Sequence, residues 1–213
     1  MDQFNIYYEF LIQENAKYNL TAITDHKEVE IKHFEDSLSV GEALDFGAIT
    51  TICDVGSGAG FPGIPLKIKY PHIKLTIIEP TTKKCTFLHE LVLKCDLKDV
   101  IIINDRAENC KAQRDLFDCV TSRAVGAMPM LAELCLPLVK KGGYFIAMKG
   151  PDYEEDLKQA TRAFKMLGAE VEAIIPIQLR DNMGKRTLIK IRKVTSTPAI
   201  YPRAFAVIKK KPL

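Results

Sequence analysis

The chain has 213 residues, 47% hydrophobic and 27% charged, with 30 Lys and Arg against 27 Asp and Glu; that suits one α/β domain with a small extension. Near-average composition excludes disorder and collagen-like repeats, and no apolar run approaches the roughly 20 residues of a membrane span. Met1-Asp2-Gln3-Phe4 lacks the basic start of a secretory signal, so a soluble cytoplasmic chain is expected.

In chain order, Phe4, Tyr7, Tyr8, Leu11, Ile12 and Asn15 fall at helical spacing and predict an amphipathic helix over 2–19. A turn at Asn19-Leu20-Thr21 follows, and Thr24 or Asp25 can cap a second helix over 28–44. Both precede any strand signal, so residues 1–46 are expected to form a helical cap on a body spanning 47–213. From there, short β-rich runs at 49–55, 74–78, 100–103, 117–121 and 144–148 alternate with helical stretches at 65–70, 84–95 and 130–139. A polar turn is expected at 107–116. Apolar strands separated by helices imply a parallel sheet covered on both faces. One further helix, 153–167, is followed by strands 170–179 and 187–194 joined by the polar turn 180–184. That ending predicts an antiparallel pair at one sheet edge, whereas dinucleotide dehydrogenases more often continue in parallel.

The six cysteines (Cys53, Cys85, Cys95, Cys110, Cys119, Cys135) lie far apart, with no CxxC and no zinc-ligand spacing. They read as reduced core residues, and no metal site is expected. Charge is uneven. Residues 180–213 hold ten basic side chains and one acid, a net +9 against +3 overall, which leaves −6 on residues 1–179. Such an end is either a solvated strand and tail or an edge that binds a polyanion.

The densest signal is the glycine loop after the first strand, Asp54-Val55-Gly56-Ser57-Gly58-Ala59-Gly60-Phe61-Pro62-Gly63. It can be read in two registers. Gly58-Ala59-Gly60-Phe61-Pro62-Gly63 matches the GxGxxG dinucleotide fingerprint. Asp54 through Gly60 matches instead the acid-then-GxGxG loop that holds S-adenosylmethionine. A carboxylate at the strand tip repels a diphosphate but suits a ligand with an ammonium and a sulfonium, and Pro62 removes an amide a phosphate would use. The methyl-donor register is therefore favoured. Glu79, closing the second strand, can accept from both ribose hydroxyls in either class of enzyme. After the third strand, Ala107 leaves room for a flat ring and Glu108 can accept from an adenine amino group; the plain alternative is an Arg106–Glu108 surface pair.

These residues carry a resemblance. The 54–65 block with Lys83-Lys84 and Phe87-Leu88, then Arg106-Ala107-Glu108, Ser122-Arg123-Ala124, Lys149-Gly150 and Tyr201-Pro202-Arg203, occur in the order of a known family. Upstream, Asn19-Leu20-Thr21-Ala22-Ile23-Thr24 with His33, Asp36, Ser37 and Leu38 also fits. The chain resembles the bacterial small-subunit ribosomal RNA methyltransferase G family, also called glucose-inhibited division protein B. The resemblance implies an α/β class I S-adenosylmethionine-dependent methyltransferase, with a Rossmann-like seven-stranded sheet and an antiparallel C-terminal hairpin. It implies N7 methylation of one guanine in 16S ribosomal RNA, and donor contacts at Gly56, Phe61, Ala107, Glu108 and Arg123. With the loop and strand-end residues, the expected donor set is Asp54, Gly56, Gly58, Gly60, Phe61, Glu79, Ala107, Glu108 and Arg123. Two departures stand out: Ala204-Phe205-Ala206 replaces the family's Lys-Pro-Gly stretch, and Tyr18 replaces a tryptophan.

Guanine N7 presents an in-plane lone pair without a proton, so its methylation needs alignment and exclusion of water rather than a base. In agreement, the fourth strand ends Thr121-Ser122-Arg123, without the Asn/Asp-Pro-Pro-aromatic element of amine methylation. Arg123, Lys149 and His33 are positioning candidates. Arg123 can pair with the donor carboxylate or point at guanine O6, or it can simply cap the next helix. Lys185, Arg186, Lys190 and Arg203 are expected to hold RNA, either 16S rRNA or a small-subunit assembly intermediate, with a monomeric enzyme. The alternatives are a nicotinamide-dependent oxidoreductase on a related fold and a non-catalytic RNA-binding module.

Overall fold

The computed structural model describes residues 2–123 and 126–213. Ala124 and Val125, where the Ser122-Arg123-Ala124 element ends, lie outside the described residues. Helix α1 (Gln3–Tyr18) opens with the Asp2 carboxylate accepting from Phe4 N–H. Its end is tied by Asn15, whose Oδ1 accepts from the N–H groups of Leu20 and Thr21 at 2.7 and 2.9 Å. Asp25, rather than Thr24, is the second cap: its Oδ1 accepts from Glu28 N–H at 2.9 Å and starts α2 (His26–Val29). The helix then widens into a π-helical stretch, Glu30–Glu35, before α3 (Asp36–Leu38) and a 3-10 turn, Ser39–Glu42. The predicted 28–44 helix is thus real but underwound and overwound in turn.

The sheet follows the expected alternation: β1 (Thr51–Val55), α4 (Gly63–Lys69), β2 (Lys74–Ile78), α5 (Thr82–Lys94), β3 (Val100–Ile103), β4 (Phe117–Arg123), α6 (Met128–Cys135) and β5 (Val139–Lys149). It closes with α7 (Glu154–Gln159), α8 (Thr161–Leu167), β6 (Ala169–Gln178), β7 (Lys185–Lys193) and α9 (Phe205–Lys210). The seven strands lie in the order β3-β2-β1-β4-β5-β7-β6. The first five are parallel, and β7 runs antiparallel to both β5 and β6. β1 is buried on both faces, Ile52 in one hydrophobic cluster and Cys53 and Val55 in the other, as strand periodicity requires. Tyr7, Phe10, Leu11, Val29 and Phe34 of the cap share the cluster of Ile52, Ile64 and Phe87, so cap and body have one core.

Several boundaries differ from expectation. α6 stops at Cys135, two residues before Pro137, so β5 begins at Val139 where the helix was expected to end. The 153–167 helix is two pieces meeting at buried Ala160. The 107–116 turn holds two 3-10 turns, Ala107–Asn109 and Lys111–Gln113. All six cysteines are buried free thiols. Among the described residues no helix is long and apolar enough to cross a membrane.

The basic C-terminal segment is not one open edge. Lys193 is fully buried, its ammonium donating to the Leu136 carbonyl at 2.5 Å and to the Thr197 hydroxyl. Arg203 donates from Nε and Nη2 to the two carboxylate oxygens of Glu133, at 2.7 and 2.5 Å, and from its backbone N–H at 2.9 Å. Glu133 is fully buried. Arg203, expected on the RNA edge, is thus held in an ion pair with a buried carboxylate. Arg203→Ala strands that carboxylate and is expected to lower unfolding free energy in urea by roughly 3 kcal/mol. An Arg203→Leu/Glu133→Leu double variant, which removes both charges, should recover most of the loss.

Candidate active site

Two clefts open at the C-terminal ends of the parallel strands, on either side of the gap between β1 and β4, where the chain reverses its direction of travel across the sheet. Asp54, near the end of β1, organises the loop that separates them. Its carboxylate is fully buried; Oδ2 accepts from the Ser57 hydroxyl at 2.5 Å and Gly63 N–H at 2.9 Å, and Oδ1 from the Thr121 hydroxyl at 3.2 Å. Burial pushes its pKa up to about 6 against the pull of these donors. Asp54, expected among the donor contacts, thus faces inward and builds the loop.

The loop amides are committed too. Gly56 N–H donates to Ile78 O at 2.8 Å, Gly58 to Glu79 Oε2 at 3.0 Å, and Gly60 and Phe61 to Ser57 O at 2.9 and 3.0 Å. A diphosphate placed here would find these four amides already engaged, which disfavours the dinucleotide register. Gly60 adopts φ +106° under the cap, and a Cβ there would lie 2.6 Å from the Tyr7 hydroxyl oxygen. That hydroxyl donates to Ala59 O at 2.5 Å. The cap thereby presses directly on the loop.

The first cleft, of about 310 Å³, is lined by Gly56, Glu79, Ala107 and Glu108 together with Arg106, Met130 and Phe205. Of the expected donor residues it gathers these four. Glu79 is buried, with Oε1 accepting from Thr81 N–H at 2.9 Å. Arg106 does not pair with Glu108; its guanidinium lies 4.3 Å from the centre of the Phe205 ring. Phe205 was missed by sequence reasoning, because nothing local marks a tail residue as part of this wall.

The second cleft, of about 380 Å³, is lined by Lys32, His33, Asp36, Arg123, Met148, Lys149 and Arg186. Arg123 Nη1 donates to Asp36 Oδ2 at 2.9 Å, and its guanidinium sits 4.8 Å from the Phe61 ring centre. Phe61 is itself buried between Tyr7 at 5.3 Å and His33 at 4.6 Å, both near-parallel. Its ring supports Arg123 and the cap; only its backbone belongs to the loop. His33 Nε2 lies 2.8 Å from the Thr21 hydroxyl and Nδ1 3.1 Å from Lys32 O. Burial, then the charge of Arg123, lowers its pKa to about 4, so the ring is neutral at pH 7. With Ile23 N–H donating to Thr21 Oγ1 at 3.0 Å, the Asn19–Ile23 block serves to orient this histidine. The π-helical stretch turns His33 and Asp36 together toward Arg123.

The remaining basic candidates divide. Lys149 is held by Asp156 Oδ2 at 2.6 Å and Gly126 O at 2.7 Å, so it braces the segment after β4. Lys190, expected on the RNA edge, pairs with Glu172 at 2.9 Å and covers the Tyr144 ring. Lys185 is exposed. Arg186 Nε is 3.5 Å from Asp36 Oδ1, the one buried side-chain oxygen without a hydrogen-bond partner among the described residues.

A family model described as rRNA small subunit methyltransferase G matches residues 1–184. Curated proteins named ribosomal RNA small subunit methyltransferase G are similar along nearly the whole chain. That of Geobacillus thermodenitrificans is 48% identical, covering 99% of this chain and 90% of the relative. That of Listeria monocytogenes is 46% identical, covering 100% and 91%. Among solved structures, M. jannaschii TYW2 in complex with AdoMet aligns with TM-score 0.57 and 17% identity over 75% of this chain and 77% of that one. Precorrin-6y C5,15-methyltransferase of Geobacter metallireducens gives 0.51 and 17% over 68% and 80%. The structural likenesses speak for the fold, a methyltransferase sheet with its reversed seventh strand. With the loop sealed from inside by Asp54 and a family model spanning most of its length, the chain belongs to the rRNA small subunit methyltransferase G family.

Proposed function

We propose that this protein methylates N7 of a guanine in 16S ribosomal RNA, with S-adenosylmethionine as donor bound in the first cleft. When bound, that donor supplies an electrophilic methyl group on a sulfonium. Glu79 offers carboxylate oxygens to a ribose diol, and Ala107 with Glu108 forms a small wall with an acceptor for an amino-bearing purine. Arg123, at the end of β4, lines the second cleft beside the loop and can hold an amino-acid carboxylate. The cap, residues 1–46, walls the second cleft against the body, 47–213, and keeps water from the reacting centre.

The observation that supports the N7 reading is that the histidine and carboxylate of the second cleft are held by orienting partners and cations. His33 has both ring nitrogens occupied and stays neutral, while Asp36 is bonded to Arg123. Asp36 lies between Arg123 and Arg186, which hold its carboxylate in the ionised form and make it a poor base, so the cleft offers cations and alignment. A purine nitrogen that already presents its lone pair needs no base. Lys185 and Arg186 beside this opening favour a phosphate backbone, and the guanine must be unpaired to enter.

The test gives labelled S-adenosylmethionine to small subunits and to stripped 16S rRNA, then maps label by strand scission at N7-methylguanine. Label at an exocyclic amine or a ribose would overturn the target atom, and donor binding without any transfer would favour a non-catalytic RNA-binding role. Lys185→Ala/Arg186→Ala should weaken RNA binding roughly tenfold and flatten the log K against log salt slope by about 2, with donor affinity unchanged. Lys190→Ala should leave RNA affinity within about twofold. His33 gives a pH signature. Its folded pKa of about 4 lies below the unfolded value, so its contribution is complete above about 6.5 and is lost as pH falls toward 4. Asp54, pushed up, works in the opposite sense, favouring the fold more as pH falls through 6. Compared with His33→Gln, the parent protein should therefore lose about 2 kcal/mol more between pH 7 and 4.5 in urea titrations.

A further inference from the structure

The C-terminal tail carries a ring into the donor cleft that no part of the family match covers, since that match ends at residue 184. After β7 the chain is fastened at successive points. Thr195 N–H donates to Gly168 O at 3.0 Å and the Thr197 hydroxyl to Leu167 O at 2.8 Å. Arg114 donates to the carbonyls of Thr197 and Tyr201, and Arg203 grips Glu133 of α6. Tyr201 and Ile208 are buried in the core cluster of α6 and α8. This anchoring fixes where α9 begins, and its first residue, Phe205, lines the same cleft as Glu79, Ala107 and Glu108. The Phe205 ring is only half-buried, and Arg106 is stacked against it. A large aromatic left part-exposed in a cleft, held by a cation and by a tail anchored along its length, is placed as a wall and not as core.

We propose that Phe205 is a binding residue for the adenine of the methyl donor, the aromatic side of a pocket whose other sides are Ala107, Met130 and the acid pair Glu79 and Glu108. This rests on the methyltransferase reading of the cleft. A purine offers a flat, polarisable face, and an aromatic ring next to it is the chemistry that holds such a face without regard to the rest of the ligand. Arg106 steadies the ring from one side and leaves its remaining surface to the ligand. The tail is then part of the donor site.

Calorimetry with S-adenosylmethionine, S-adenosylhomocysteine and 5′-methylthioadenosine separates the possibilities on the full chain. Phe205→Ala should weaken all three by a common factor of about ten, because all three share the adenosine end. Phe205→Trp should keep affinity near that of the parent, showing that any loss in the alanine variant reflects the ring and not an unfastened tail. The chain has no tryptophan, so this variant also carries a single fluorophore. Its emission should change on addition of each ligand, with the same midpoint as calorimetry. Parent-like affinity in Phe205→Ala, or unchanged Phe205→Trp emission at saturating ligand, would overturn the proposal while leaving the methyltransferase reading intact. Absence of donor binding by the parent chain would overturn both.

Discussion

Asp54 sits where a carboxylate is costly, fully enclosed near the tip of the central strand, and the site is arranged around the way that cost is offset. Removing a carboxylate from water costs several kcal/mol, and hydrogen bonds to a charged acceptor return about 1.5–3 kcal/mol each. Two hydroxyls and one backbone N–H converge on it, from Ser57, Thr121 and Gly63. Burial outweighs the donors, which is why its pKa rises to about 6, while the three hydrogen bonds hold the rise in check. Those three donors come from the glycine loop, the start of α4 and the neighbouring strand β4. One oxygen pair therefore joins the elements that separate the two clefts.

From that loop the constraint passes outward through aromatic contact. Gly60 and Ala59 receive Tyr7, and Phe61 lies between Tyr7 and His33 with Arg123 over its face. Arg123 is the cation of this stack, balanced by Asp36 at 2.9 Å. A protonated His33 would set a second positive charge beside it in a poorly solvated place, so the arrangement is consistent only with a neutral imidazole. The Thr21 and Lys32 contacts give that neutral ring one acceptor and one donor partner. The cap and the glycine loop are thus one electrostatic unit although they lie far apart in sequence.

What the sequence discloses follows from how local each cause is. The glycine loop, Glu79 and the strand-helix alternation are legible because turn chemistry and periodicity act over a few residues, and the reversed β6–β7 pair is announced by its own turn. Resemblance places Ala107, Glu108 and Arg123, but only the structure pairs Arg123 with Asp36. The π-helical stretch escapes because the same residues satisfy a 3.6-residue period. The pairings of Arg203 and Lys190 escape for one reason: a sequence displays charges but not their partners, and Glu133 is 70 positions from Arg203. Phe205 escapes because its place in the cleft depends on anchors at Arg114, Glu133 and Leu167, each contributed by a different element.

The pairing of charges also decides which part of the basic C-terminal segment can serve a polyanion. Arg180 is paired with Glu30 and Glu35, Lys190 with Glu172 and Arg203 with Glu133, and Lys193 is buried. Of the cations on β7 without a close acid, Lys185 and Arg192 stand at opposite ends of the strand, roughly 23 Å apart at the usual rise. Strand direction then chooses between them. β7 runs against β5, so Thr187 registers with Lys149 at the end where both clefts open, while Arg192 registers with Tyr144 farther from them. Had the seventh strand been parallel like the first five, its last residues would have reached the active edge and Lys185 the far one. The antiparallel reversal thereby does more than close the sheet: it brings the start of β7, with Lys185 exposed and Arg186 beside Asp36, to the mouth of the second cleft.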